Sequence, residues 1–163
     1  MTIEIRELNK SNSEEIVNLL NNCIDYFELV EGEKPNINTT KEILEDLPSE
    51  KTIDDKKVFG FYDNQELIAL VDFIKGYKTL DEGIIGLFLV DERKRNLGIG
   101  KYVHQEIIKV AQSYSLKKLR IGVAESNEVA CIFWKKLGYE EIERKNMTIG
   151  KKENTVIVMN YII

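Results

Sequence analysis

The chain has 163 residues, of which 43% are hydrophobic and 31% charged, with a formal net charge of −5. That size and balance suit a single globular domain, residues 1–163, with a sizeable core. They exclude a bilayer span, because no apolar run approaches ~20 residues, and a nucleic-acid binder, because no basic run stands out. Cys23 and Cys131 are too few for a disulfide framework and are spaced for no zinc site, so no metal is expected.

Residues 3–7 alternate as a strand rather than a signal peptide, and with no apolar span a cytoplasmic location is expected. Ser11-Asn12-Ser13-Glu14 has capping-box spacing and opens a first helix, with Ile16, Leu19, Leu20 and Cys23 on its apolar face. Residues 21–35 read as a connection. They hold Tyr26 and Phe27 among four acids, Asp25, Glu28, Glu31 and Glu33. Thr39-Thr40-Lys41-Glu42 repeats the capping spacing and opens a short second helix to about residue 46. Strands at 57–62 and 66–74 flank Asp63-Asn64-Gln65, a hairpin signal. An apolar strand at 84–90 precedes Arg95-Asn96-Leu97-Gly98-Ile99-Gly100, and a helix follows over 101–112. A strand at 119–123, a helix beginning near Asn127 and a final hairpin, 139–145 with 155–161, complete the order. Strands and helices thus alternate in an α/β pattern.

The turn at 95–100 carries the chemistry. A strand that leads through a glycine turn into a helix leaves the first amides of that helix without partners. With the helix dipole they act like about half a positive charge, and Arg95 adds a full one. Gly98 and Gly100 let a ligand approach the backbone, so Arg95, Asn96, Leu97, Gly98, Ile99, Gly100 and Lys101 form a candidate diphosphate cradle. The dinucleotide fingerprint is missing its third glycine, and the G-x-x-x-x-G-K-S/T phosphate loop is absent.

The R-x-x-G-x-G turn after a buried strand resembles the acetyl-CoA loop of the GNAT superfamily of N-acetyltransferases. Downstream, Asn127-Glu128-Val129-Ala130-Cys131-Ile132-Phe133-Trp134-Lys135-Lys136-Leu137-Gly138-Tyr139 is similar to that family's N-x-x-A-x-x-F-Y-x-x-x-G-F/Y segment. The two motifs stand in the family's order with one strand between them. The resemblance implies a small GNAT acyl-CoA N-acyltransferase fold, with a mixed, centrally splayed sheet of about seven strands and about four helices. It also implies acetyl-CoA as cosubstrate and direct attack of an amine on the thioester. Phe88, Leu89 and Val90 would lie beside the pantetheine arm, and the amide near Leu89 or Val90 would serve the developing oxyanion. Asn127 would contact the pantetheine amides or simply cap its helix.

The chain departs from the family at Trp134, where a tyrosine ordinarily protonates the departing sulfur. An indole N–H can donate a hydrogen bond but not its proton near neutral pH, so Trp134 is read as a thiolate hydrogen-bond donor or a core aromatic. Asp72 and Glu82 are candidate bases, and His104, the only histidine, reads as a half-buried helix residue. Tyr26, Phe27, Glu28 and Glu33 are expected to wall the acceptor pocket and to suit a small cationic amine. The alternatives are a catalytically silent acyl-CoA sensor and an acetyltransferase of peptide N-termini. A homodimer is left open.

Overall fold

The computed structural model describes residues 2–163. Seven strands form one sheet in the order β1-β2-β3-β4-β5-β7-β6. They are β1 (Ile3–Glu7), β2 (Lys56–Asp63), β3 (Glu66–Lys75), β4 (Glu82–Val90), β5 (Lys118–Ala124), β6 (Glu140–Ile149) and β7 (Lys152–Ile162). Every neighbouring pair is antiparallel except β4 and β5, which are parallel. The β2–β3 turn places Asn64 and Gln65 at φ +49° and +65°, the doubly left-handed pair of a tight hairpin.

The sheet separates two layers of helices. The helices α1 (Ser13–Asn21), α2 (Ile24–Glu31) and α3 (Thr39–Glu45) cover one face, and α4 (Ile99–Ser113) and α5 (Glu128–Leu137) cover the other. β3 is therefore buried on both sides and reads as a near-continuous apolar run. Val71 and Phe73 pack under α4, whereas Leu70 and Leu67 pack under α1. By the same alternation Asp72 faces the α1–α3 layer.

Five α-helices stand where four are expected. The addition is α2, in the segment read as a connection. Phe27 and Val30 are its buried residues, one turn apart. Gly32, at φ +77°, ends the helix in the left-handed conformation that glycine adopts without strain. The remaining carbonyls of α2 are satisfied from far along the chain. Lys151 donates its amide to Glu31 O (2.9 Å), Lys152 Nζ donates to Leu29 O (2.7 Å), and Asn154 Nδ2 donates to Val30 O (2.8 Å). The capping assignments also shift. Asn9, not Ser11, caps the turn before α1, with its Oδ1 accepting from the Ser11 amide at 2.8 Å. Thr39 Oγ1 accepts from the Asn36 amide at 2.9 Å rather than capping α3 forward.

The functional opening lies between β4 and β5. They pair only from Glu82↔Lys118 to Ile85↔Ile121. On the other flank of β4 the register shifts, because Phe73 faces Ile85 while Asp72 faces Leu87. Gly86 is thus an extra, bulged residue, and a bulge bends its strand. Beyond it β4 leaves β5, and the sheet opens as a V.

Candidate active site

A cavity of about 500 Å³ fills this V. Gly86, Leu87 and Phe88 line it from β4, and Gly122 to Ala124 from β5. α2 supplies Tyr26, Phe27, Val30 and Glu31, α3 supplies Thr39, Glu42 and Ile43, and α5 supplies Ala130 and Trp134.

The open edge of β4 explains which backbone groups are available. Asp91 donates its amide to Ile68 of β3 at 2.8 Å. Along a strand successive N–H groups point to opposite sides, so Leu89 is also directed to β3, opposite Leu70. Its side chain is buried under α1. Phe88 and Val90 face the open side instead. The Val90 carbonyl accepts from Arg95 Nε (2.9 Å) and from Cys23 Sγ (3.5 Å), as that orientation requires. The cleft-facing amides are therefore those of Phe88 and Val90, and Leu89 belongs to the sheet and core.

The turn at 95–100 has its expected form. Gly98 caps α4 at φ +81°, and Tyr102 is the first residue to donate back into the helix, to Gly98 O at 3.1 Å. The amides before it at the start of α4 have no carbonyl partner within the helix. Asn96, Leu97 and Gly98 are exposed, while Ile99 is buried and anchors the loop. The two glycines differ in purpose. A Cβ on Gly98 would meet nothing within 4 Å, so backbone conformation alone calls for glycine there. A Cβ on Gly100 would stand 3.0 Å from the Phe133 ring, so Gly100 serves α4–α5 packing.

Arg95 is not a free cation. It forms an ion pair with Asp25 of α2 at 2.6 Å, tying the loop to the wall of the cavity. Asp25 is held below the usual carboxylate range by Arg95, against the opposing effect of burial, which is the larger single influence. Asn127 caps α5, accepting from the Ala130 amide at 3.3 Å, and also lines the cavity. The cap occupies its oxygen and leaves its NH₂ group available.

Trp134 lines the cavity and is 6% exposed. It sits among Phe88, Phe133 and Tyr139, with ring centroids at 5.1, 5.0 and 4.9 Å. Behind it His104 is buried rather than half-buried, and its Nε2 shares a 3.0 Å hydrogen bond with Tyr139 Oη. Burial lowers the His104 pKa to about 4, which leaves it a neutral core residue near pH 7. Trp134→Phe is expected to keep turnover within about tenfold, because loss of a true acid or base costs ~10²–10⁴. Steady-state rates with saturating acetyl-CoA check this. A fall beyond about a hundredfold with CoA affinity intact would make the indole essential.

The acids separate into two groups. Glu82 is buried, pairs with Arg120 at 2.6 Å and lies at the closed end of the V. Asp72 lines the cavity, and burial raises its pKa while the Lys56 charge opposes that rise. Tyr26 and Phe27 line the cavity. Glu28 is exposed on the outer side of α2, and Glu33 pairs with Lys151 at 2.9 Å, so neither lines the cavity. Glu31 and Glu42 do line it, and among the described residues neither has an ion-pair partner. Burial raises the Glu31 pKa, and the charges of Glu42 and Glu33 add to the rise. The helical period of α2 was the missing signal: Phe27 and Glu31 are four apart and share a face.

Comparison with known proteins agrees with this arrangement. A model of the acetyltransferase (GNAT) family matches residues 20–139. The chain belongs to this family, and it is an acyltransferase. An acetyltransferase from Thermus thermophilus superposes with a TM-score of 0.84 at 16% identity, over 100% of this chain and 98% of that one. The ribosomal-protein-S18-alanine N-acetyltransferase from Escherichia coli gives 0.72 at 16% identity, over 99% and 94%. An N-acetyltransferase from Staphylococcus aureus gives 0.74 at 16% identity, over 99% of both chains. At such identities these likenesses show the shared fold. Acetyl-CoA is the cosubstrate of the family. The unpaired amides at the start of α4, the open edge of β4 and the free NH₂ of Asn127 form a donor set that fits its diphosphate and pantetheine arm. No helix among the described residues is long and apolar enough to cross a membrane.

Proposed function

We propose that the chain moves an acetyl group from acetyl-CoA to the primary amine of a small cationic molecule, with Asp72 as the base. The observation that carries this reading is the single cavity in which the open edge of β4, Trp134, Asp72, Glu31 and Glu42 meet. An alkylamine has a pKa of ~10.4, so its reactive neutral form is scarcer at pH 7 by about three units, or roughly 4 kcal/mol. A carboxylate in hydrogen-bond reach lowers that barrier by taking the proton. Acetyl-CoA supplies the thioester carbonyl. The Val90 amide is the donor facing the side where its oxygen would gain charge. A thiol pKa of ~8.5 makes thiolate a good leaving group without an acid, which is consistent with a tryptophan at position 134.

The acceptor wall favours a cation. Glu31 and Glu42 present unpaired carboxylates beside the Tyr26 ring, and each close charge pair contributes about 1–4 kcal/mol before desolvation. A screen of diamines, polyamines, amino acids, aminoglycosides and short peptides for thiol release from acetyl-CoA tests the reading. Cationic small amines are expected to be fastest, and release with no acceptor dependence would favour a sensor. Changing Glu31 and Glu42 together to Gln is expected to raise the acceptor KM at least about fivefold and leave the acetyl-CoA KM unchanged. The effect should shrink with salt, because exposed pairs are screened over ~10 Å. An unchanged acceptor KM at low salt would remove the acids from recognition.

A further inference from the structure

Lys56, the first residue of β2, is buried on the face covered by α1–α3, and its side chain is 1% exposed. An ammonium placed there needs partners. It has two: Nζ donates to the Asp46 carbonyl at 2.6 Å and to Asp72 Oδ2 at 3.1 Å. Asp46 follows α3, so one side chain ties the acceptor wall to the acid beside the splay. The register explains the reach: Val58 stands opposite Asp72, and Lys56 is its diagonal neighbour two residues earlier on the same face.

The other side of the carboxylate is arranged as well. A Cβ on Gly86 would lie 2.9 Å from Asp72 Oδ2, so the bulged position must lack a side chain for the carboxylate to rest against β4. Asp72 Oδ1 is buried and has no hydrogen-bond partner among the described residues. One oxygen is thus held by Lys56, and the residue as a whole lines the cavity. Stability alone does not call for this pair, since apolar side chains in place of a buried ion pair are often as stable or more so.

We propose that Lys56 is the positioning residue for Asp72, holding Oδ2 in a fixed place at the splay so that the carboxylate meets the incoming amine at the cavity wall. The proposal rests on Asp72 being the base. The step it serves is a proton transfer: the amine N–H bond breaks, its electron pair stays on nitrogen, and the proton goes to the Asp72 carboxylate. The Lys56 charge favours the ionised carboxylate that receives it, against the larger effect of burial. Both signs of charge surround Asp72. Lys56 comes from β2 and Asp46 from the end of α3, while Tyr26 and Glu31 of α2, Glu42 of α3, Tyr77 of the β3–β4 loop, Arg120 of β5 and Lys145 of β6 line the same cavity. Of these Lys56 is the cation in contact with the carboxylate.

The test uses the full chain labelled with ¹³C at aspartate carboxyls. The Asp72 resonance is identified by its loss in Asp72→Asn, and its titration is followed in the parent protein, Lys56→Met and Lys56→Arg. Lys56→Met is expected to move the Asp72 midpoint up by at least ~1 pH unit, as loss of an adjacent opposite charge does. The acid limb of kcat/KM for thiol release with the fastest amine should move by the same amount, with CoA affinity by calorimetry unchanged. Lys56→Arg, which keeps the cation, should hold the midpoint within about half a unit. A midpoint that stays put in folded Lys56→Met overturns the proposal. So does a full-unit rise in Lys56→Arg, which decides the matter if the Met variant does not fold. Full turnover in Asp72→Asn would instead remove Asp72 as the base, while the titration would still report whether Lys56 governs its charge.

Discussion

Asp72→Asn is expected to lower kcat by ~10²–10⁴, the range lost with a general base, with acetyl-CoA affinity unchanged. The substitution preserves shape, so the deficit reads proton transfer rather than packing. Asp72 lies in the cavity wall, on the residue pair where the β3–β4 register shifts. Its carboxyl pKa is raised, first by burial, with the Lys56 charge pulling the other way. The active form is the ionised one. Rate should therefore be present at high pH and fall as pH drops through the raised midpoint, which lies above the usual carboxylate range. That limb should vanish in Asp72→Asn, leaving a low activity that only follows the rise of neutral amine toward its pKa of ~10.4. Stopped-assay thiol release across pH with the fastest amine of the screen measures both quantities. Retention of kcat within about tenfold in the Asn variant would shift proton removal to water.

Gly98→Val is expected to weaken CoA binding at least tenfold, equivalent to about 1.4 kcal/mol, as measured by calorimetry. Gly98 holds φ +81° at the cap of α4. A left-handed backbone costs an L-residue roughly 1–2 kcal/mol, and a β-branched one is a genuine outlier there. Since a Cβ at this position would meet no atom within 4 Å, the penalty is conformational and falls on the amides that follow. Relaxing the turn would turn those donors away from the diphosphate. Gly98→Asn is the informative companion, because asparagine tolerates the left-handed region. Affinity restored in Asn shows that backbone conformation is what matters, and affinity lost in both shows that the ligand passes directly over Cα. Unchanged affinity in a folded Val variant would take the diphosphate away from this loop.

The legible parts of the fold were those written locally. The left-handed turn at Asn64-Gln65, the buried face of α4 with Ile99, Val103 and Ile107, and the glycine start of that helix all follow from short-range spacing. The loop, Asn127 and Trp134 stand out in the sequence because their motifs are contiguous. The α2 side of the cavity is less legible. The segment holding Glu28 begins as a helix, and its period places Glu31 inward and Glu28 outward, while Glu33 lies beyond its end. Arg95 looked like a free cation because Asp25, its partner, stands 70 residues earlier.

By itself the sequence determined the family, the strand–turn–helix that offers unpaired amides, and the aromatic set around position 134. Each depends on residues within one or two turns of one another. Tertiary structure alone decided α2, whose last carbonyls are satisfied by Lys151, Lys152 and Asn154 of a hairpin far along the chain. It also decided which β4 amides face the cleft, because β3 takes the alternate ones, and which acids line the cavity. The Lys56–Asp72 pair is of the same kind. Two charged residues on neighbouring strands become one buried unit only when register, the bulge at Gly86 and the cover of α3 bring them together, since burial and hydrogen bonding are properties of the assembled layers.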